Sequence, residues 1–295
     1  MTLLLLGDRA YSSWSLRGWL LFHRWNLPVT VQNVPFEHRD VAAQLAAYAP
    51  ARTVPTAVFE DGAVVSESLA IAEELASRHP EAGIWPQAPK ARATARTLAA
   101  EMHAGFTALR SACPMNLRCA YTTFTPDDAV LADLARLEQI WSHARKTSGA
   151  SGPWLCGDYS AADAFFAPVA ARIAGYGLPV GEEAGAYVTA HLRDPAFRQW
   201  RAMALVRGAD LPWYARDHDQ GRWPGPEPLV ATSRDHGPAV NDTCPYSGKP
   251  VSHFLTMEGE TYGFCNAFCR DKTAVDPAAW PAFMALTPRQ VAGLR

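Results

Sequence analysis

Four consecutive leucines, Leu3–Leu6, run into Gly7 and then into a serine-rich turn, Ser12-Ser13-Trp14-Ser15, and this sets the pattern of the whole opening segment. An aliphatic run that short reads as a strand buried on both faces. Beyond the turn, Leu16, Trp19, Leu20 and His23 recur at helical spacing until Leu27-Pro28 stops them. A buried strand handing over directly to a helix is the repeating step of an α/β domain, and the step recurs. Residues 29–34 read as a second strand and 40–48 as a second helix. Residues 56–59 and 63–65 flank Glu60-Asp61-Gly62 as a hairpin, and Ser66 opens a third helix through Leu69, Ile71, Ala72 and Leu75. The order over residues 1–80 is βαβαββα.

Past residue 80 the texture changes. Two prolines and a glycine in 81–89 mark a linker, and 90–213 is dominated by helical stretches at 91–111, 126–147, 161–174, 183–191 and 195–207. Ser160 and Asp163 form a capping box ahead of Ala164-Phe165-Phe166. Pro224, Pro226, Pro228 and Pro238 fall in 214–241, which reads as an extended linker. Residues 242–295 make a small α+β module with a hairpin and two short helices, the last opening at Thr287-Pro288. There is no internal repeat.

With 295 residues and 48% hydrophobic content, the chain can bury two or more cores. A net charge of -2 gives no pull toward nucleic acid or anionic lipid, and no apolar run is long enough to span a membrane. The leucine run is interrupted by Asp8 and Arg9 and is too short for a secretory signal. The six cysteines are not spaced as a disulfide scaffold. A cytoplasmic protein with reduced thiols is expected.

The serine turn is the first candidate site. The leading N–H groups of a helix lack intrahelical partners and carry the positive end of its dipole, so an anionic oxygen or sulfur is well held there. Three motifs lie in sequence: Ser12-Ser13-Trp14-Ser15-Leu16-Arg17, then Thr53-Val54-Pro55-Thr56, then Ser66-Glu67-Ser68-Leu69-Ala70-Ile71. In their order, and on an α/β domain followed by an all-helical one, they resemble the glutathione transferase superfamily, in particular its serine-type members, the zeta class and bacterial relatives included. The resemblance covers about residues 1–213. It implies a thioredoxin-like first domain, an all-helical second domain, a homodimer, a cis bond before Pro55 and glutathione as co-substrate, with a small electrophile as second substrate.

The glutamyl end, the cysteinyl backbone and the thiol of glutathione then each have a partner. Ser68, at a helix start, takes the glutamyl carboxylate, and Glu67 takes the glutamyl ammonium. Val54, ahead of Pro55, offers its backbone to the cysteinyl residue as a strand partner does. The thiol is left beside the serine turn, where a hydroxyl donor and a helix dipole raise its thiolate fraction. Ser12 matches the first serine of the motif and takes the catalytic role, with Ser13 and Ser15 as neighbouring hydroxyls of the same site, and Arg17 adding positive potential. Taken singly, each motif also fits a plainer role: Ser12, Ser13, Ser66 or Ser68 as a helix cap, and Val54-Pro55 as the start of an edge strand. Zeta-class isomerases carry Cys where this chain has Trp14, which weakens an isomerase assignment. Met102, Phe106, Met115 and Tyr121 are candidates for lining the second-substrate cleft, with Asn116 as a polar contact.

The second candidate site is Cys244-Pro245-Tyr246-Ser247-Gly248-Lys249 followed by Phe264-Cys265-Asn266-Ala267-Phe268-Cys269. It resembles the YHS-like metal-binding domains, with Ser247 where that family usually has a second knuckle cysteine. If Glu258-Gly259-Glu260 is a three-residue turn, Met257 pairs with Thr261 and His253 falls opposite Cys265, about 5 Å away between Cβ atoms. A structural zinc site on Cys244, His253, Cys265 and Cys269 is then expected, and some fifty residues bury too little surface to fold readily without such a staple. An alternative to the enzyme is a non-enzymatic adaptor that keeps the fold and binds a protein through the zinc tail.

Overall fold

In the computed structural model, which describes residues 1–37 and 40–288, the leucine run forms β1 (Thr2–Leu6), and Leu4, Leu5 and Leu6 have no exposed surface. There follow α1 (Ser13–His23), β2 (Val29–Asn33), the short α2 (Val41–Gln44), β3 (Thr56–Val58), β4 (Val64–Ser66) and α3 (Ser68–Arg78). The sheet order is β2-β1-β3-β4, with β1 parallel to β2 and antiparallel to β3, which in turn pairs antiparallel with β4. This is the expected βαβαββα arrangement. Leu16, Leu20, Leu21 and Phe22 on α1 are buried. The Val54-Pro55 bond is cis. A Cβ placed on Gly18 would lie 2.6 Å from the Pro55 Cβ, so α1 reaches the Val54-Pro55 loop only because residue 18 has no side chain.

The helical part comprises α4 (Pro89–Ala104), α5 (Thr107–Ala112), α6 (Asp128–Ser148), α7 (Ala161–Gly175) and α8 (Glu182–Arg193). The single helix expected over 91–111 is broken in two. Gly105, a poor helix former, closes α4, and Phe106 takes a left-handed conformation at φ 56° while its ring is buried. The capping box of α7 is present: the Asp163 carboxylate accepts from Ser160 N at 2.9 Å, from Leu155 N at 3.1 Å and from the Tyr187 hydroxyl at 2.9 Å. A small ladder that the sequence pattern did not suggest joins β5 (Ala120–Tyr121) to β6 (Gln220–Gly221), and Thr122 N donates to Asp219 O at 2.8 Å.

The described residues divide into two units, 1–192 with 209–224, and 193–208 with 225 onward. The proline-rich stretch expected as a linker is thus shared out. Its first part returns to the first unit through β6, and its second contributes β7 (Thr232–Arg234) to a sheet of the second unit. That second unit also contains α9 (Pro195–Val206), β8 (His253–Met257), β9 (Glu260–Phe264), α10 (Ala267–Val275) and α11 (Pro281–Met284). Its sheet order is β7-β8-β9, all antiparallel, over a core containing Leu255, Met257, Tyr262, Phe264 and Phe283. Arg198 on α9 forks onto Asp276, with Nε 2.8 Å from Oδ2, and Gln199 Nε2 donates to Ala279 O at 2.7 Å. The stretch over which a last helix was expected, from Thr287-Pro288 onward, lies largely outside the described residues. No helix among them is long and apolar enough to cross a membrane.

Candidate functional site

Ser12 caps α1 from an extended conformation, and its Oγ accepts from Ser15 N at 3.2 Å while donating to Ser15 Oγ at 2.8 Å. Ser15 Oγ also accepts from Gly7 N at 2.9 Å, so this fully buried hydroxyl ties the end of β1 to the first turn of α1. Ser13 Oγ points elsewhere: it accepts from Arg172 Nη2 at 2.9 Å and lies 3.9 Å from Met115 Sδ. One turn therefore presents two hydroxyls with different partners.

Both face a cavity of about 580 Å³, and Val54 and Glu67 face it too. Residues from three separate motifs thus converge within the first unit. Ser15, Pro55 and Ser68 are not among the residues that line it. Glu67 sits in a left-handed conformation at φ 71°, with its Oε2 3.6 Å from His103 Nε2 and its Oε1 3.5 Å from Thr53 Oγ1. Ser68 next to it has no exposed surface, and its Oγ has no hydrogen-bond partner. An orphaned hydroxyl at a helix start beside a carboxylate can take the two ends of a zwitterion, the carboxylate on Ser68 and the first amides of α3, the ammonium on Glu67.

Of the cations of this region, Arg17 belongs to the serine motif and was expected to add positive potential, whereas Arg52, Arg110 and Arg172 lie outside the sequence motifs. Arg52, Arg110 and Arg172 line the cavity, and Arg17 lies buried next to it with its Nε and Nη1 unpartnered. Burial, then Arg172 and Arg110, lowers Arg17 to about 9, and burial followed by Arg110 lowers Arg172 to about 10. Burial also lowers Arg110 and, together with Arg17, His103. One signal was available: Asp163 and Arg172 are the only charged residues of α7, a helix buried over nearly its whole length. Of the expected second-substrate residues, Met115 lines the cavity. Met102 and Phe106 belong to the core, Tyr121 accepts from Arg216 N through its hydroxyl at 3.1 Å, and Asn116 Oδ1 accepts from Arg118 N at 3.0 Å.

In the second unit, the sulfur atoms of Cys244, Cys265 and Cys269 lie within 4.8 Å of one another, Cys265 and Cys269 at 3.9 Å. Ser247 Oγ donates to Cys265 Sγ at 3.2 Å and Asn266 Nδ2 at 3.3 Å. Burial pushes the Cys244 thiol up, but backbone amides of Cys265, Tyr246 and Ser247 and the Ser247 hydroxyl bring it down to about 7. His253 does not join them. The β8–β9 turn has two residues, Glu258 at φ 53° and Gly259 at φ 86°, so Met257 pairs with Glu260 and His253 with Phe264. The expected three-residue turn is one too long, and a slip of one residue moves a side chain to the opposite face. Instead, His253 Nδ1 is 3.0 Å from Ser252 Oγ.

Residues 11–78 match the family model described as glutathione S-transferase, N-terminal domain. A probable maleylacetoacetate isomerase from Caenorhabditis elegans is 34% identical over 109 residues, which is 34% of this chain and 49% of that protein; the chain spans about half the length of the curated relative it matches. Among solved structures, a diazinon-metabolizing glutathione S-transferase of the silkworm Bombyx mori is 16% identical, with a TM-score of 0.54 over 70% of this chain and 98% of its own. A glutathione transferase from Methylococcus capsulatus is 20% identical, with a TM-score of 0.52 over 70% and 100%. A glutathione transferase homolog from Burkholderia gl BGR1, solved with bound glutathione, is 23% identical, with a TM-score of 0.51 over 69% and 97%. What this chain shares with these structures is the glutathione transferase fold.

Proposed function

We propose that this protein is a cytoplasmic, homodimeric glutathione transferase in which Ser12 activates the glutathione thiol for attack on a small electrophile. The observation that carries the reading is the convergence of Ser12, Val54 and Glu67 on one cavity, with the orphaned Ser68 hydroxyl next to Glu67 in the chain. Glutathione lies with its glutamyl end at Glu67 and Ser68 and its cysteinyl backbone along Val54. Its sulfur reaches the start of α1. A hydroxyl hydrogen rotates freely, so Ser12 turns its proton from Ser15 to the sulfur, while Ser15 keeps the Gly7 amide. A thiol with a pKa of about 8.5 is only a few per cent ionised at pH 7, and one charge-assisted hydrogen bond at a helix start shifts that balance. The thiolate then forms its bond to carbon as the leaving group departs with the electron pair of the broken bond.

The test pairs calorimetric binding of glutathione with conjugation of a chlorodinitrobenzene. Ser12→Ala is expected to lower kcat by about a hundredfold, the cost of one donor to a developing anion, and to move the pH dependence of kcat/KM upward. Absence of glutathione binding would falsify the reading. Binding without turnover on any electrophile would favour the adaptor. Sedimentation at twice the chain mass checks the dimer.

The second unit is proposed to hold zinc on Cys244, Cys265 and Cys269. Tetrahedral zinc with Zn–S bonds of about 2.3 Å separates its sulfurs by about 3.8 Å, close to the 3.9 Å between Cys265 and Cys269. The donors from Ser247 and Asn266 suit a thiolate, not a thiol. Elemental analysis of protein purified without chelators is expected to give about one zinc per chain, lost in Cys265→Ser. Zinc-free wild type would remove this part.

A further inference from the structure

Charge is badly out of balance at one end of the cavity. Arg17 and Arg110 stand over Trp14, with the Arg110 guanidinium carbon 4.4 Å and that of Arg17 5.2 Å from the ring centre, and Arg172 is near enough for its charge to act on Arg17. Arg172 is held in place by Cys113 O at 2.8 Å, Pro168 O at 3.1 Å and the Ser13 hydroxyl at 2.9 Å. The charges that act most on Arg17 are those of Arg172 and Arg110, and the charge that acts most on Arg172 is that of Arg110. Among the lining residues the acid is Glu67, which faces His103. Buried guanidinium groups without counter-charge are costly to keep, and each lowers the cost of bringing in an anion.

In the proposed complex, glutathione places its glutamyl carboxylate at Ser68, its glycyl carboxylate toward Arg52, which lines the cavity next to Val54, and its thiolate at the serine turn, where Arg172 stands one hydroxyl away. The thiolate offsets one charge. Arg110 remains on the cavity wall, donating from Nη1 to Gly105 O at 3.1 Å, with Arg17 behind it. The rest of that wall is aromatic or apolar: Trp14, Met115, Pro114, and Tyr11 stacked on Tyr214 at 4.8 Å. We infer that the electrophile carries a carboxylate on a flat, unsaturated body, the carboxylate pairing with Arg110 and the body lying on Trp14 beside the Tyr11–Tyr214 stack. The transfer stays redox-neutral: sulfur bonds to carbon, the leaving group departs with its electron pair, and the thiol proton passes to solvent.

This inference rests on the glutathione reading, and the test separates the two. Full-length protein is titrated with glutathione and with two glutathione conjugates, one bearing a dinitrophenyl ring and the other the same ring with a para carboxylate. The carboxylated conjugate is expected to bind about tenfold more tightly, a typical margin for one charge-assisted pair in a partly dry site. Arg110→Met is expected to bring the two conjugates to parity, and Arg110→Lys to keep part of the margin. Equal or weaker binding of the carboxylated conjugate to wild type overturns the inference, as does an undiminished margin in Arg110→Met. Should that variant not fold, Arg110→Gln is read in its place. If glutathione binds and the conjugates are matched, only the anionic electrophile falls; if none of the three binds, the glutathione reading falls with it.

Discussion

His191 on α8 is held as a neutral imidazole by its surroundings. Its ring lies 5.2 Å from Trp154 and 4.6 Å from Tyr187, its Nε2 has no partner, and burial, with Arg24 adding to it, lowers its pKa to about 3. The unfolded chain binds a proton at this residue near pH 6.5 and the folded chain does not, so between those values the unfolded state holds more protons. Stability contributed by this residue is therefore intact above pH 6.5 and lost as pH falls toward 3, at up to about 1.4 kcal/mol per pH unit. Urea midpoints of the first unit measured over that range are expected to fall with pH, and His191→Phe to remove about one proton from the slope. A flat profile in wild type would contradict this. At this same scale the hydroxyls of the serine turn were legible, because a helix start imposes a local pattern on its neighbours. Arg17 was legible with them, as part of the same turn, but Arg110 and Arg172 were not. Arg110 and Arg172 meet Ser13 and Trp14 only through the packing of α5 and α7 on the first domain, and no period in the sequence reports that meeting.

At the scale of elements, two glycines set what the neighbouring segments can do. Gly18 lets α1 touch Pro55, and Gly18→Ala puts a methyl 2.6 Å from the Pro55 Cβ, where something has to move. The side that moves is the loop carrying Val54, and glutathione affinity is expected to drop by about tenfold, the effect of one to two kcal/mol of overpacking. Calorimetry checks it, and an unchanged affinity would uncouple α1 from the Val54 loop. Gly259 differs, since a Cβ there meets nothing within 4 Å and its φ is 86°. Gly259→Val then carries a purely backbone cost of about 1–2 kcal/mol, expected as faster amide exchange across β8 and β9 and unaltered exchange in the first sheet. This turn also shows where sequence reasoning slips. The hairpin itself was legible from its alternation around Glu258-Gly259-Glu260, but two-residue and three-residue turns share that alternation, and the choice between them decides which residue faces Cys265.

For the whole molecule, α9 is the element that falls in the second unit, with the tail, and not with the helices before it in the chain. Its amphipathic period is like that of α4 or α6, which places it with the helical domain on pattern alone, while periodicity does not name the surface a helix packs on. In the structure it carries the Arg198–Asp276 pair and the Gln199–Ala279 bond of the second unit, with the two charged side chains only 15% and 11% exposed. Ending the chain after Pro224 removes Asp276 and leaves Arg198 without its carboxylate, a loss of about 3 kcal/mol or more for a pair this buried. The shortened protein is expected to melt several degrees lower and to expose α9 to proteolysis. Equal melting temperatures would show that α9 does not depend on the tail.

The same pairing sets an order in time. Arg198 and Asp276 are 78 residues apart in the chain, and a ribosome adding about 5–20 residues per second takes about 4–16 s to supply the second after the first. The serine turn, the Val54 loop and Glu67 are all synthesised before α9 appears, so the cavity's first wall has its full sequence while α9 still waits for its docking surface. During biosynthesis the vulnerable species is thus a nascent chain with one bare amphipathic helix, and chaperone demand falls on that interval.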